Sequence, residues 1–147
     1  MKSKREWHYF MDEEGLLYHE GVELEDPELH RFFLKNMTIL ENGQYYVRCQ
    51  GEDCYIEAQD VPYVVQSLEE TENQILLNFM GGYQEPLDLS TLEVGKNNIL
   101  YCRIQNQTQK ARFNRKTYWE ITKRIEEDPV SKKYYFVFHQ QRYLIQI

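Results

Sequence analysis

Five residues of this 147-residue chain carry chemistry at a useful spacing: Tyr101, Arg103, Lys110, Arg112 and Arg115. Side chains alternate along a β-strand, so Tyr101 and Arg103 share one face while Leu100, Cys102 and Ile104 take the other. On the following strand, Lys110 and Arg112 share a face opposite Ala111 and Phe113. If the apolar set turns to the core, the rest gather on one exposed sheet surface. Arg115 and Lys116 follow at a helix start, where backbone amides already favour anions. Guanidinium groups grip carboxylate or phosphate in forked geometry, and a nearby tyrosine offers stacking. The strip would hold an acidic peptide, a phosphorylated group or a nucleic-acid strand. The alternative is a solvated polar face that docks on the acidic first half of the same chain.

Other chemistries lack their residues. There is no Gly-x-Ser-x-Gly nucleophile turn, and the three serines (Ser3, Ser67, Ser90) lie outside any sharp strand-to-helix turn. His8, His19, His30 and His139 are scattered singly, without metal-ligand spacing; His8 and His19 could still meet across a first hairpin. Cys49 and Cys54 flank a short turn and read either as a redox pair or as two ordinary strand cysteines. Asp12-Glu13-Glu14 is a solvated acidic turn rather than a calcium loop. Gly81-Gly82 lacks the lysine of a phosphate-cradling loop. No catalytic residue, metal or cofactor is expected, although the 24 carboxylates leave a paired-acid site open.

The elements that must position the strip follow from local signals. Trp7 to Met11 and Leu16 to His19 flank Asp12-Glu13-Glu14-Gly15, a hairpin signal. Asp26-Pro27-Glu28 reads as N-cap, first helical position and acidic first turn, followed by the apolar stripe Leu29, Phe32 and Phe33. Gln44 to Gln50 and Asp53 to Ala58 form a hairpin across Gly51. Tyr63 to Leu68 and Gln74 to Met80 read as strands. Ile99 to Ile104 and Gln109 to Phe113 form the strip's hairpin. Asn114 caps a helix presenting Tyr118, Ile121 and Ile125, which Asp128-Pro129 stops. Tyr134 to Phe138 and Arg142 to Ile147 close a last hairpin. The order hairpin, helix, hairpin thus occurs twice. Tyr45-Tyr46 precedes Tyr134-Tyr135 by 89 positions, and the same step pairs Ile56 with Ile145, Glu57 with Gln146, Leu29 with Tyr118 and Phe32 with Ile121.

Length and composition fit one globular unit over 1–147, with 1–70 as its first half and 71–147 as its second. Aromatic residues make up 14% of the chain, with twelve tyrosines, which favours strands. The expected class is α+β: antiparallel, β-rich sheets with two short helices. No apolar run is long enough to span a membrane. The basic N-terminus, Met1 to Trp7, lacks an apolar segment behind it and is no signal peptide. Three cysteines cannot all pair within one chain, which fits the reducing cytoplasm. The net charge of -7 is uneven: residues 1–70 hold six basic and sixteen acidic side chains, the remainder eleven and eight. The acidic half disfavours broad nucleic-acid coating.

Short words in the chain resemble a mostly bacterial domain-of-unknown-function family numbered 1285. They are Gly15-Leu16-Leu17-Tyr18-His19-Glu20-Gly21-Val22, Glu41-Asn42-Gly43-Gln44-Tyr45-Tyr46-Val47 and Ile56-Glu57-Ala58-Gln59-Asp60-Val61-Pro62-Tyr63. Later come Tyr101-Cys102-Arg103-Ile104 and Ala111-Arg112-Phe113-Asn114-Arg115, leading into Tyr118-Trp119-Glu120. The resemblance implies a duplicated core, a second half loosely like a pleckstrin-homology fold, and a ligand site where the halves meet. It implies no established activity. This chain departs from the family in its more acidic first half and in Gln59, where an acidic residue is expected before Asp60. The leading expectation is therefore a non-catalytic, signalling-type interaction module that recognises a protein or anionic ligand at that seam. Asp60 joins Tyr101, Arg103, Lys110, Arg112 and Arg115 there, or serves as a turn former before Pro62. A nucleic-acid binder using the same strip, and an enzyme of unassigned type, are the rivals.

Overall fold

A computed structural model describes residues 5–147; Met1–Lys4, most of the segment read as no signal peptide, lies outside them. The chain is α+β, with two α-helices and mainly antiparallel sheets, and its contacts divide it into two compact units. The first comprises the described residues up to Pro62 together with Met80–Tyr83. The second comprises Tyr63–Phe79 and Gln84–Ile147.

In the first unit, β1 (Glu6–Met11) alternates Trp7, Tyr9 and Met11 toward the core with Glu6, His8 and Phe10 toward solvent. Asp12 turns the chain: its Oδ1 accepts from the amides of Glu14 (3.0 Å) and Leu16 (2.9 Å). β2 (Leu17–His19) returns antiparallel, and β3 (Val22–Glu23) follows a two-residue turn. Helix α1 (Pro27–Asn36) begins as its sequence dictates, with Asp26 Oδ1 accepting from the amide of Leu29 at 3.1 Å and Pro27 in the first turn. Then come β4 (Thr38–Ile39), β5 (Tyr45–Cys49) and β6 (Glu52–Ala58). The six strands form one sheet in the order β3-β2-β1-β6-β5-β4, with β1 and β6 parallel at its centre. Met11, Leu17, Phe33, Leu34, Val47 and Ile56 build the core. Gly81 sits against α1; a β-carbon there would lie 2.5 Å from the Pro27 carbonyl and 2.7 Å from the Arg31 amide, so no side chain fits.

The second unit holds β7 (Tyr63–Val65), β8 (Ser67–Glu70), β9 (Ile75–Asn78), β10 (Gln84–Pro86), β11 (Glu93–Val94), β12 (Leu100–Ile104) and β13 (Gln109–Phe113). Helix α2 (Arg115–Thr122) follows, then β14 (Ile125–Glu127), β15 (Tyr134–Phe138) and β16 (Gln141–Leu144). Three sheets result: β10-β9-β8, β11-β12-β13-β7 and β14-β15-β16. A parallel bridge from Glu93 to Gln146 joins the last two, with the Val94 amide donating to the Gln146 carbonyl (2.7 Å) and the Gln146 amide to that of Leu92 (3.0 Å).

Traced through that bridge, and with β7 lying outside β13, the strands run β13-β12-β11, then β16 with its continuation to Gln146, then β15 and β14. This is the order of the first unit, again with a parallel contact at the centre and a helix after the third strand. Two expectations change. The parallel ladders β1–β6 and β7–β13 were absent from a reading built on hairpins, because their partners are far apart in sequence. Helix α2 also stops at Thr122. Ile125, placed on the helix by its spacing of four from Ile121, instead opens β14 opposite Phe136. The ladder with β15 outweighs the helical spacing, and Asp128-Pro129 ends a strand rather than a helix.

Candidate functional site

The strip forms on the β12–β13 ribbon. Tyr101 lies opposite Arg112, and Arg103 opposite Lys110, so the four side chains leave one face. Beneath them Leu100, Cys102, Ile104, Ala111 and Phe113 are buried. Register also brings Glu93 of β11 opposite Tyr101 onto that face. The Lys110 ammonium lies 3.2 Å from Glu93 Oε1 and 4.2 Å from the centroid of the Tyr101 ring, so an ion pair and a cation–π contact both occupy it.

Tyr101 corrects the expectation of an exposed stacking ring. It is 6% exposed, with Lys110 over one side. On another side Gly95 approaches so closely that an added β-carbon would lie 2.7 Å from the ring. Arg112 is half-buried. Arg103 and Arg115 are exposed, and neither guanidinium has an ion-pair partner among the described residues. Arg115 occupies the first position of α2, whose cap Asn114 accepts through Oδ1 from the Thr117 amide (2.9 Å) and hydroxyl (2.8 Å). Asp60 belongs to the first unit, exposed in the bend after β6.

Arg103 also borders an open pocket of about 380 Å³ with Glu85, Asp88 and the loop Gln105–Gln107. That loop holds three successive non-glycine residues at φ of 51°, 54° and 66°, a costly left-handed run. Two carboxylates restrain it. Glu85 Oε1 accepts from the Gln105 amide at 3.0 Å, and Asp88 Oδ2 accepts from Gln107 Nε2 at 3.1 Å. Hydrogen bonds from Ser90 and Gln107 hold the Asp88 carboxyl below the usual carboxylate range. Sequence reasoning missed Glu85, Asp88, Glu93 and Gly95. Gly95 was legible only as the start of the breaker Gly95-Lys96-Asn97-Asn98, and Asp88-Leu89-Ser90 carried the signal of an aspartate turn, whose Oδ1 accepts from the Ser90 amide and hydroxyl.

The remaining reactive groups do not assemble. Cys54 pairs in register with Val47, and Cys49 with Glu52, so the two thiols are diagonal neighbours and both are free. Burial pushes the Cys54 thiol up to about 11 and Cys102 higher still. His19 packs on Trp7 and Tyr9, whereas His8 stacks on Tyr55 from the opposite face of the sheet, so the two do not meet. No helix among the described residues is long and apolar enough to cross a membrane.

Two solved proteins share this architecture. A DUF1285 family protein from Silicibacter pomeroyi aligns with a TM-score of 0.72 at 12% identity, over 98% of this chain and 84% of its own. A DUF1285 family protein from Shewanella baltica gives 0.65 at 12% identity, over 78% and 90% respectively. The resemblance read from short sequence words is thus borne out at the level of fold. No family model matches the chain, and no curated protein matches it.

Proposed function

Starting from a fold shared with two bacterial DUF1285 family proteins, we propose that the protein is a non-catalytic interaction module, signalling in character, for an anionic group on a protein partner. The observation that carries this reading is the state of the strip's cations. Lys110 is neutralised by Glu93, while Arg103 on the ribbon and Arg115 at a capped helix start stay exposed, without carboxylate partners among the described residues. Two exposed guanidiniums on fixed elements suit forked binding of carboxylate or phosphate. In this reading Arg112 and Tyr101 brace the ribbon, and the 147 residues act as one unit in the cytoplasm, a compartment supported by three free cysteines. Duplication of the core belongs to the same proposal; its support is the common strand order and the 89-residue step from β5 to β15. So does the pleckstrin-homology-like character that the resemblance implies for the second half.

The test is an NMR titration with a phosphoserine peptide and its unphosphorylated form. Amide shifts should concentrate at 103–107 and at 115–117, weaken as salt rises, and vanish in the Arg103→Gln/Arg115→Gln double variant. Shifts spread elsewhere, or persisting in that variant, defeat the reading.

A further inference from the structure

The two units share a strand order but fill the space between helix and sheet differently. Counted from its cap Asp26, α1 places His30, Phe33 and Leu34 at the fourth, seventh and eighth positions, with Met37 at the eleventh. All four are buried, none more than 6% exposed. Counted from the cap Asn114, the same positions after α2 begins carry Tyr118, Ile121, Thr122 and Ile125. Ile121 alone is buried. The other three line an open pocket of about 510 Å³. Where one unit closes its core with Leu34 and Met37, the other leaves a hollow.

Protein interiors are close-packed, so an apolar hollow of this size is a feature to be explained. Its volume lies within the roughly 300–1,000 Å³ of small-molecule sites. Leu100, Ile125, Ile145 and Ile147 make its wall mainly aliphatic, which offers water few hydrogen bonds. Asn98, Thr122 and Tyr134 supply neutral polar groups. Among the described residues, the one charged side chain in the lining is Glu127, exposed on β14 directly opposite Tyr134. No lysine or arginine among the described residues lines it.

We propose that this pocket binds a small amphiphilic amine, its apolar body in the hollow and its ammonium group on the Glu127 carboxylate. Charge selects the class: a fatty carboxylate or a phosphate headgroup would bring like charge to Glu127, and nothing in the lining would offset it. The site is separate from Arg103 and Arg115, so it stands or falls independently of the anion-binding reading.

The experiment compares n-octylamine, n-octanol and octanoate by calorimetry and thermal shift, with methyl NMR of Ile125, Ile145 and Leu100 locating the ligand in the unaltered protein. Octylamine should bind saturably and most tightly, octanoate least, with shifts confined to those methyls. Glu127→Gln should weaken octylamine about tenfold, the worth of one charge-assisted contact, and leave octanol unchanged. Thr122→Leu with Ile125→Met, which installs the first unit's Leu34 and Met37 at the two lining positions, should abolish binding of all three while raising the melting temperature. The Arg103→Gln/Arg115→Gln variant should bind octylamine normally. Absence of saturable octylamine binding, octanoate binding as tight as octylamine, or methyl shifts elsewhere overturns the proposal. If the filled variant fails to fold, the methyl map and Glu127→Gln still decide.

Discussion

His30 lies on the inner face of α1, 6% exposed, and its Nε2 has no hydrogen-bond partner among the described residues. Burial lowers its pKa from 6.5 to about 4. The unfolded chain therefore takes up a proton near pH 6.5 that the folded chain refuses until about 4. Stability present above pH 6.5 is lost as pH falls through that window. Urea unfolding should show His30 contributing a loss on the order of 2–3 kcal/mol by about pH 4. His30→Phe should reduce the acid sensitivity by that amount, and an unchanged profile would mean that the imidazole is not buried as described. Tyr101 makes the complementary point. Its type advertised stacking, but Gly95 and the Lys110–Glu93 pair cover its ring, and neither could be identified as a neighbour from spacing along one strand.

Among the elements, the tight turns separate local chemistry from tertiary demand. Gln50-Gly51 joins β5 to β6 at φ of 51° and 77°, and His139-Gln140 makes the equivalent connection from β15 to β16 at 48° and 65°. Both turns need two left-handed residues, the primed geometry that matches strand twist. The first uses glycine at its second position and the second does not, although left-handed backbone strains a residue with a β-carbon. Gln140→Gly should therefore stabilise the protein by about 0.5–1 kcal/mol in chemical denaturation; a loss of stability would show that the Gln140 side chain makes a compensating contact. Helix starts were the most legible features. Asp26-Pro27 and Asn114 both cap as read, because a cap needs only the next three residues. The end of α2 was not legible, since β15 decides it.

Over the whole molecule, charge limits what the strip can do. Sixteen of the 24 acidic residues fall in 1–70, and the net charge is -7. A polyanion would meet repulsion from residues 1–70 and only weak net attraction from the remainder, where eleven basic side chains stand against eight acidic ones. Double-stranded DNA should give no mobility shift at roughly physiological salt, where exposed charges are screened beyond about 8 Å. A tight, steeply salt-dependent shift would favour the nucleic-acid reading. A small anionic group, by contrast, needs only the local cations.

Strand parity, helix caps, hairpins and the α+β class were set by neighbours a few residues apart: alternating apolar positions, Asp26-Pro27, Asn114, and a glycine in a turn. The sequence by itself determined these because each is a bargain between adjacent groups over backbone hydrogen bonds and burial. Tertiary structure alone decided that β1 runs parallel to β6, that Tyr101 is buried, that Ile125 leaves its helix for a strand, and that Tyr118 and Thr122 line a hollow where His30 and Leu34 fill one. Those outcomes depend on which distant segment arrives alongside, and no periodicity within one element encodes its partner.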